Sequence, residues 1–194
     1  MFRRLKPYWI ILCWLPLVSL VIIALAFPEQ MGPDPAKWLV DQTGKWSLYT
    51  LFATLSLTPL RILTGHSQWI VWRRATGLAA AGYALSHFLS YTVILNQLDM
   101  TVILGDITKK PYVIVGFLAL LLYVPLAITS TRGWQRRLKR HWQTLHKSIY
   151  LIAILVMLHY TWLKKVGFME TLPWCVLLLG LFGVRIYNKY YKNN

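Results

Sequence analysis

Acidic residues are scarce in this chain, and where they sit excludes several functions. Six Asp and Glu stand against 21 Lys and Arg in 194 residues, a formal net charge of +15. None of the six (Glu29, Asp34, Asp41, Asp99, Asp106, Glu170) falls within the long apolar runs described below. Carboxylate-based metal centres inside those runs are therefore excluded. Cysteine is nearly absent: Cys13 and Cys175 lie in different apolar runs, which the topology read below places near opposite membrane faces. Neither a disulfide between them nor a structural zinc site is expected. The eleven glycines never form G-x-G-x-x-G, so the chain has no Rossmann-type module with which to oxidise NAD(P)H. A membrane bundle and a folded soluble module would not both fit in this length.

Apolar residues are what the chain has in abundance, at 57% with a positive mean hydropathy. They form six runs: Tyr8–Phe27, Trp46–Leu63, Ala75–Leu95, Pro111–Ser130, Leu145–Leu163 and Thr171–Tyr187. Each is about the length that crosses a hydrocarbon core of roughly 30 Å as a helix, and a helix satisfies its own backbone in lipid. The expectation is an all-α integral membrane bundle of about six transmembrane helices, forming a single domain over residues 1–194. Arg3, Arg4 and Lys6 ahead of a run ending Ala24-Leu25-Ala26 also resemble a signal peptide, but Tyr8–Phe27 is long enough to span by itself. No internal repeat stands out.

A basic balance of this size in a soluble protein points to nucleic acid. Here the basic residues sit in short clusters between apolar runs, so nucleic acid is not expected and membrane topology is. With the N-terminus inside, the inside segments hold fifteen Lys and Arg and no acid; the outside segments hold six basic residues and all six acids. The bias runs one way in every loop and places both termini in the cytoplasm. The inside segment Thr131–Arg140 fits contact with anionic lipid or a docking site. The outside segment Pro28–Gly44 fits a docking loop or a rigid connector.

Ionisable groups at membrane depth are functional candidates, and among the five histidines three qualify. His87 lies in the third run; His146 and His159 lie in the fifth. His66 and His141 fit ordinary interfacial positions. His87 falls about 12 Å and His159 about 6 Å short of the outer ends of their helices, at 1.5 Å per residue, so the two can share one level. Two neutral imidazoles from facing helices can clamp a haem iron. His146 lies roughly 20 Å from His159 along the helix axis, a separation suited to a second haem nearer the inner face. Thirteen residues turn an ideal helix so that these two histidines point about 140° apart. Both can face one column of cofactors only if that helix is tilted, kinked or carries a π-bulge. A single histidine can instead serve only to bond a neighbouring helix.

Three segments together resemble a known family: Gly32–Arg61, Arg73–Tyr91 and Ala127–Trp162. They are similar to those of the MsrQ (YedZ) haem-binding membrane subunits, within the ferric-reductase-like transmembrane group. The resemblance implies haem b held by His87, His146 and His159, one haem or two, in a multi-pass protein of the bacterial inner membrane. It also implies FMN, and electron delivery from the quinone pool or a cytosolic flavin reductase to MsrP. MsrP is a periplasmic molybdenum-containing reductase that repairs methionine sulfoxide in oxidised proteins. The chain itself would be an electron-transfer subunit with no catalytic residue. Many members of the wider group carry two histidines on each of two helices, whereas the third run here has only His87. A ligand opposite His146 would have to be His66, His141, another group or an open position. A small transporter or channel and a structural membrane anchor are the rival readings; the helices carry few polar groups to line a path.

Overall fold

The computed structural model describes residues 2–164 and 168–191. The expected placements of Lys165 outside and Lys192 inside lie beyond the described residues. Among those residues the chain is helical with no strand. The helices are α1 (Phe2–Ala26), α2 (Pro35–Thr64), α3 (Trp69–Leu89), α4 (Met100–Lys109), α5 (Pro111–Ile128), α6 (Arg132–Leu138), α7 (Arg140–His146), α8 (Ser148–Leu163) and α9 (Phe168–Tyr191). A 3-10 turn covers Pro28–Met31, and a π-helical turn, Ser90–Leu95, continues α3.

Two compact units are formed, one by residues 1–54 and 71–106, the other by 55–70 and 107–194. In the first unit, Tyr83 of α3 is fully buried and reaches into α1. Its hydroxyl accepts from Leu17 N–H at 2.9 Å and donates to the Cys13 carbonyl at 3.0 Å. These are the two ends of one helical rung beside Pro16, whose ring disturbs the regular i to i−4 ladder. Trp14 and Trp46 both stack on the Tyr83 ring, at 6.0 and 6.3 Å between centroids. On α2, Thr43, Ser47, Thr50 and Thr54 form one buried stripe. The three threonine hydroxyls bond back to carbonyls of their own helix, so the stripe carries small side chains whose threonine hydroxyls are satisfied locally.

In the second unit α5 packs on α8 and α8 on α9. The contact face of α5 repeats at helical spacing through Ala119, Tyr123 and Leu126, all buried, and that of α8 through Ile149, Ile152, Ala153 and Met157. Tyr150 meets Phe182 edge to face at 5.6 Å. Arg185, the only charged residue of α9 between Glu170 and Lys189, is held by carbonyls. Its guanidinium donates to Leu181 O at 2.7 Å and to Leu55 O, and lies over the Tyr150 ring at 5.6 Å.

Large apolar side chains are exposed along whole helices, among them Leu12, Leu15, Val18 and Ile22 on α1 and Leu118, Leu121 and Val124 on α5. Faces of that extent are too large for a water-exposed surface. Four helical stretches, Tyr8–Ala26, Trp69–Leu95, Pro111–Ile128 and Met169–Tyr191, are long and apolar enough to cross a membrane. The other two expected spans fall outside this set for different reasons. α2 has 30 residues but spends a face on hydroxyl side chains, and α8 has 16 because the helix is interrupted at Lys147. The architecture is an all-α membrane bundle.

Several connections carry structure of their own. The segment expected to connect the first two spans is largely helical: α2 starts at Pro35, so Asp41 and Gly44 are helical residues. Between the third and fourth spans, α4 is opened by Asp99. Its carboxylate accepts from the Thr101 hydroxyl and backbone N–H at 2.5 and 2.9 Å and from Val102 N–H at 3.3 Å. α2 stops at Gly65, whose φ of 73° is cheap only for glycine.

Candidate functional site

His87 is half-buried on α3, with the π turn beginning three residues beyond it. Its Nδ1 lies 2.9 Å from the carbonyl oxygen of Val40 on α2. His159 is half-buried on α8, and its Nδ1 lies 2.6 Å from the carbonyl oxygen of Tyr112 on α5. A carbonyl can only accept, so Nδ1 carries the proton in both rings and the lone pair sits on Nε2. This is the tautomer and orientation that metal-ligating imidazoles take when a backbone carbonyl holds the other nitrogen.

The two arrangements match in detail. In each, a glycine stands four residues after the acceptor: Gly44 after Val40, and Gly116 after Tyr112. A Cβ on Gly44 would lie 3.0 Å from His87 Nδ1 and 3.1 Å from its Cε1; a Cβ on Gly116 would lie 2.6 and 2.9 Å from the same atoms of His159. Acceptor, glycine and histidine of the second set each follow their counterparts by 72 residues (40 and 112, 44 and 116, 87 and 159). The same offset relates buried positions of α2 and α5: Ser47 and Ala119, Leu51 and Tyr123, Thr54 and Leu126. It also relates the fully buried Ala80 and Ile152 of α3 and α8. The chain thus builds one device twice, a repeat that residue identity alone conceals.

His146 is held differently. Its Nδ1 lies 3.1 Å from the carbonyl of Trp142 in its own helix, and its ring stacks on the Trp142 indole at 3.9 Å. Trp142 in turn donates from Nε1 to Thr129 O at the end of α5, at 2.8 Å. Between His146 and His159 the helix breaks at Lys147. The N–H of Lys147 is shared between Gln143 O and Thr144 O, and its carbonyl accepts from Tyr150 N–H in the tighter i to i+3 manner. A local tightening, not a π-bulge, therefore separates these two histidines; the π turn follows His87 instead. The residue 72 before His146 is Arg74, so His146 has no counterpart in the first half.

His66 folds back on its own turn, Nδ1 2.8 Å from Thr64 O, and is exposed; His141 is exposed on α7. Among the described residues no three His, Cys, Asp or Glu side chains converge as a metal site. The donor set is therefore single imidazoles with Nδ1 held by carbonyls, which fits a cofactor that brings its own equatorial ligands, and not a bare ion. A cavity of about 460 Å³ opens beside the second set, lined by Lys109, Lys110, Pro111, Tyr112 and Trp162.

Residues 43–157 match the family model described as the ferric reductase like transmembrane component. The chain belongs to the ferric reductase-like transmembrane family. Curated relatives place it among the MsrQ proteins of that family. It is 44% identical over 161 residues to a protein of Xanthomonas axonopodis pv. citri (strain 306), covering 83% of this chain and 74% of that one. It is 38% identical over 196 residues to one of Herminiimonas arsenicoxydans, covering 98% and 89%. Both relatives are named protein-methionine-sulfoxide reductase heme-binding subunit MsrQ. No solved structure matches the chain. With four span-capable helices and a transmembrane family, this member is a multi-pass membrane protein.

Proposed function

We propose that the chain is a b-type haem electron-transfer subunit of a methionine sulfoxide reductase system. In this reading His87 and His159 are the two axial ligands of one haem, and His146 serves a second haem or the access route to the first. The observation that carries it is the twinned device: two histidines, each with Nδ1 on a carbonyl of a neighbouring helix and each laid against a glycine. A histidine kept only to join helices has no need of a matched partner 72 residues away.

Haem b supplies one-electron chemistry when bound; the chain supplies ligands, orientation and a dry setting. The carbonyl bonds orient each ring and hold the neutral form in the tautomer whose lone pair is on Nε2. The partner is MsrP in the periplasm, the donor is the quinone pool or a cytosolic flavin reductase, and the protein sits in the bacterial inner membrane with both termini cytoplasmic. Catalysis on methionine sulfoxide belongs to the partner. The names of the relatives and the loop charge support this reading. The flavin implied by the resemblance gains no support from either and is not part of the proposal.

An absorption spectrum of the purified protein tests the core of it: a reduced low-spin b-type spectrum is expected, and its absence would favour a transporter or an anchor. Reduced protein mixed with MsrP and a methionine sulfoxide substrate should reoxidise only when MsrP is present. Equal reoxidation without MsrP would overturn the relay.

A further inference from the structure

We propose that Gly44 and Gly116 are positioning residues for the haem-ligand imidazoles, acting through His87 and His159. The inference rests on the haem reading above and goes beyond it, from the ligands to the groups that set their orientation. In a helix the carbonyl of residue i faces the N–H of residue i+4. Here residue i is Val40 or Tyr112, and residue i+4 is glycine. A carbonyl oxygen has two lone pairs. One faces the helix's own N–H, and an imidazole arriving from a neighbouring helix reaches the oxygen by lying across the i+4 position; at Val40 the Thr43 hydroxyl also bonds this oxygen, at 3.1 Å. Any side chain there occupies the space the ring needs. The built Cβ distances state this directly: 3.0 Å to Nδ1 of His87, and 2.6 Å to Nδ1 of His159.

Among the described glycines only Gly44 and Gly116 would press a Cβ on an imidazole; Gly82 is tighter still, but against the indole of Trp14. A Cβ on Gly77 would meet Thr54 Cγ2 at an ordinary 3.6 Å, and one on Gly180 or Gly183 would meet nothing within 4 Å. Glycine is also the poorest non-proline residue for a helix interior, and both Gly44 and Gly116 lie inside helices. Alanine there favours the helix itself, so any loss on substitution comes from the ring being pushed. A displaced ring loses its Nδ1–H bond and turns its Nε2 lone pair. Outer-shell changes of this kind weaken metal binding by about 10–100-fold. The two sites are graded: Gly116 leaves less room than Gly44, so its substitution has the larger effect.

The experiment compares Gly116→Ala, Gly44→Ala and Gly180→Ala in the full-length protein, reading haem retained per protein, the low-spin electron paramagnetic resonance signal and the midpoint potential. Gly116→Ala is expected to lose haem retention by about 10-fold or more, Gly44→Ala to shift the signal and potential with smaller loss, and Gly180→Ala to match the parent. A second arm separates positioning from folding. In His159→Gly protein reconstituted with free imidazole, the ligand is untethered, so adding Gly116→Ala should change nothing further. If Gly116→Ala is as damaging in that background, or if it leaves signal and potential unaltered in the parent, the proposal is overturned. If His159→Ala itself leaves the low-spin signal intact, it is the haem reading that fails, and the two failures are thereby distinguished.

Discussion

The hydroxyl of Tyr83 on α3 occupies a rung of α1, accepting from Leu17 N–H and donating to the Cys13 carbonyl. One phenol therefore satisfies two backbone groups where Pro16 disturbs the helix. Tyr83→Phe keeps the ring and its stacking on Trp14 and Trp46 but leaves that rung open. It should lower unfolding stability in detergent by about 1–2 kcal/mol and leave the absorption spectrum unchanged. A melting temperature equal to the parent's would show that the rung closes by itself.

The ligand assignment makes a sharper demand. His87→Ala and His159→Ala should each lose the low-spin haem or convert it to a high-spin form. The double variant should be scarcely worse than either single, because the two act as one unit. His146→Ala should spare that signal and, if a second haem exists, lower total haem per protein. His66→Ala and His141→Ala should leave it unaltered. A His87→Ala protein with full haem and an unchanged spectrum would sink the assignment.

Topology is testable by reporter fusion. Fusions after Asn194 and within Thr131–Arg140 should report the cytoplasm, and one within Gln97–Lys110 the periplasm, because the inside segments hold the basic excess. A periplasmic C-terminus would change the number of spans.

Asp99 provides a pH-dependent feature outside the spans. The Thr101 hydroxyl, and then the Val102 and Thr101 amides, hold its carboxyl below the usual carboxylate range. A depressed folded pKa means that the stabilisation is fully present above the unfolded value and is lost as pH falls through the folded one. The protection factors of the Thr101 and Val102 amides, exchange rates corrected for the intrinsic pH dependence, should therefore be high at neutral pH and fall on acidification below the ordinary aspartate range. In Asp99→Ala they should be low throughout. Protection that survives acidification would mean the carboxylate is not what caps α4.

Helices and candidate ligands were legible in the sequence to different depths. Long apolar runs announce helices because lipid leaves the backbone no other arrangement. The start of α2 was hidden because Lys37, Asp41 and Lys45 break the apolar pattern without breaking the helix. The break at Lys147 has no proline or glycine at that position to mark it. His87, His146 and His159 stood out because ionisable groups in apolar runs are rare. Their different modes of support did not, since the acceptors are main-chain atoms and the helices that carry them lie 47 residues away for His87 and His159 but one turn away for His146. The 72-residue offset was invisible for a related reason: it preserves geometry and burial while Val40 pairs with Tyr112 and Leu51 with Tyr123.

Because the acceptors for His87 and His159 are peptide carbonyls, no side-chain substitution can delete them. Val40 and Tyr112 can drift in identity and still present the same oxygen, provided the helix persists. The genetic vulnerability of each device is thereby displaced by one helical turn, onto two residues with no functional group at all. A saturation scan of this protein should find Val40 and Tyr112 permissive and Gly44 and Gly116 intolerant, so that the residues most exposed to selection are the ones a search for reactive chemistry would pass over.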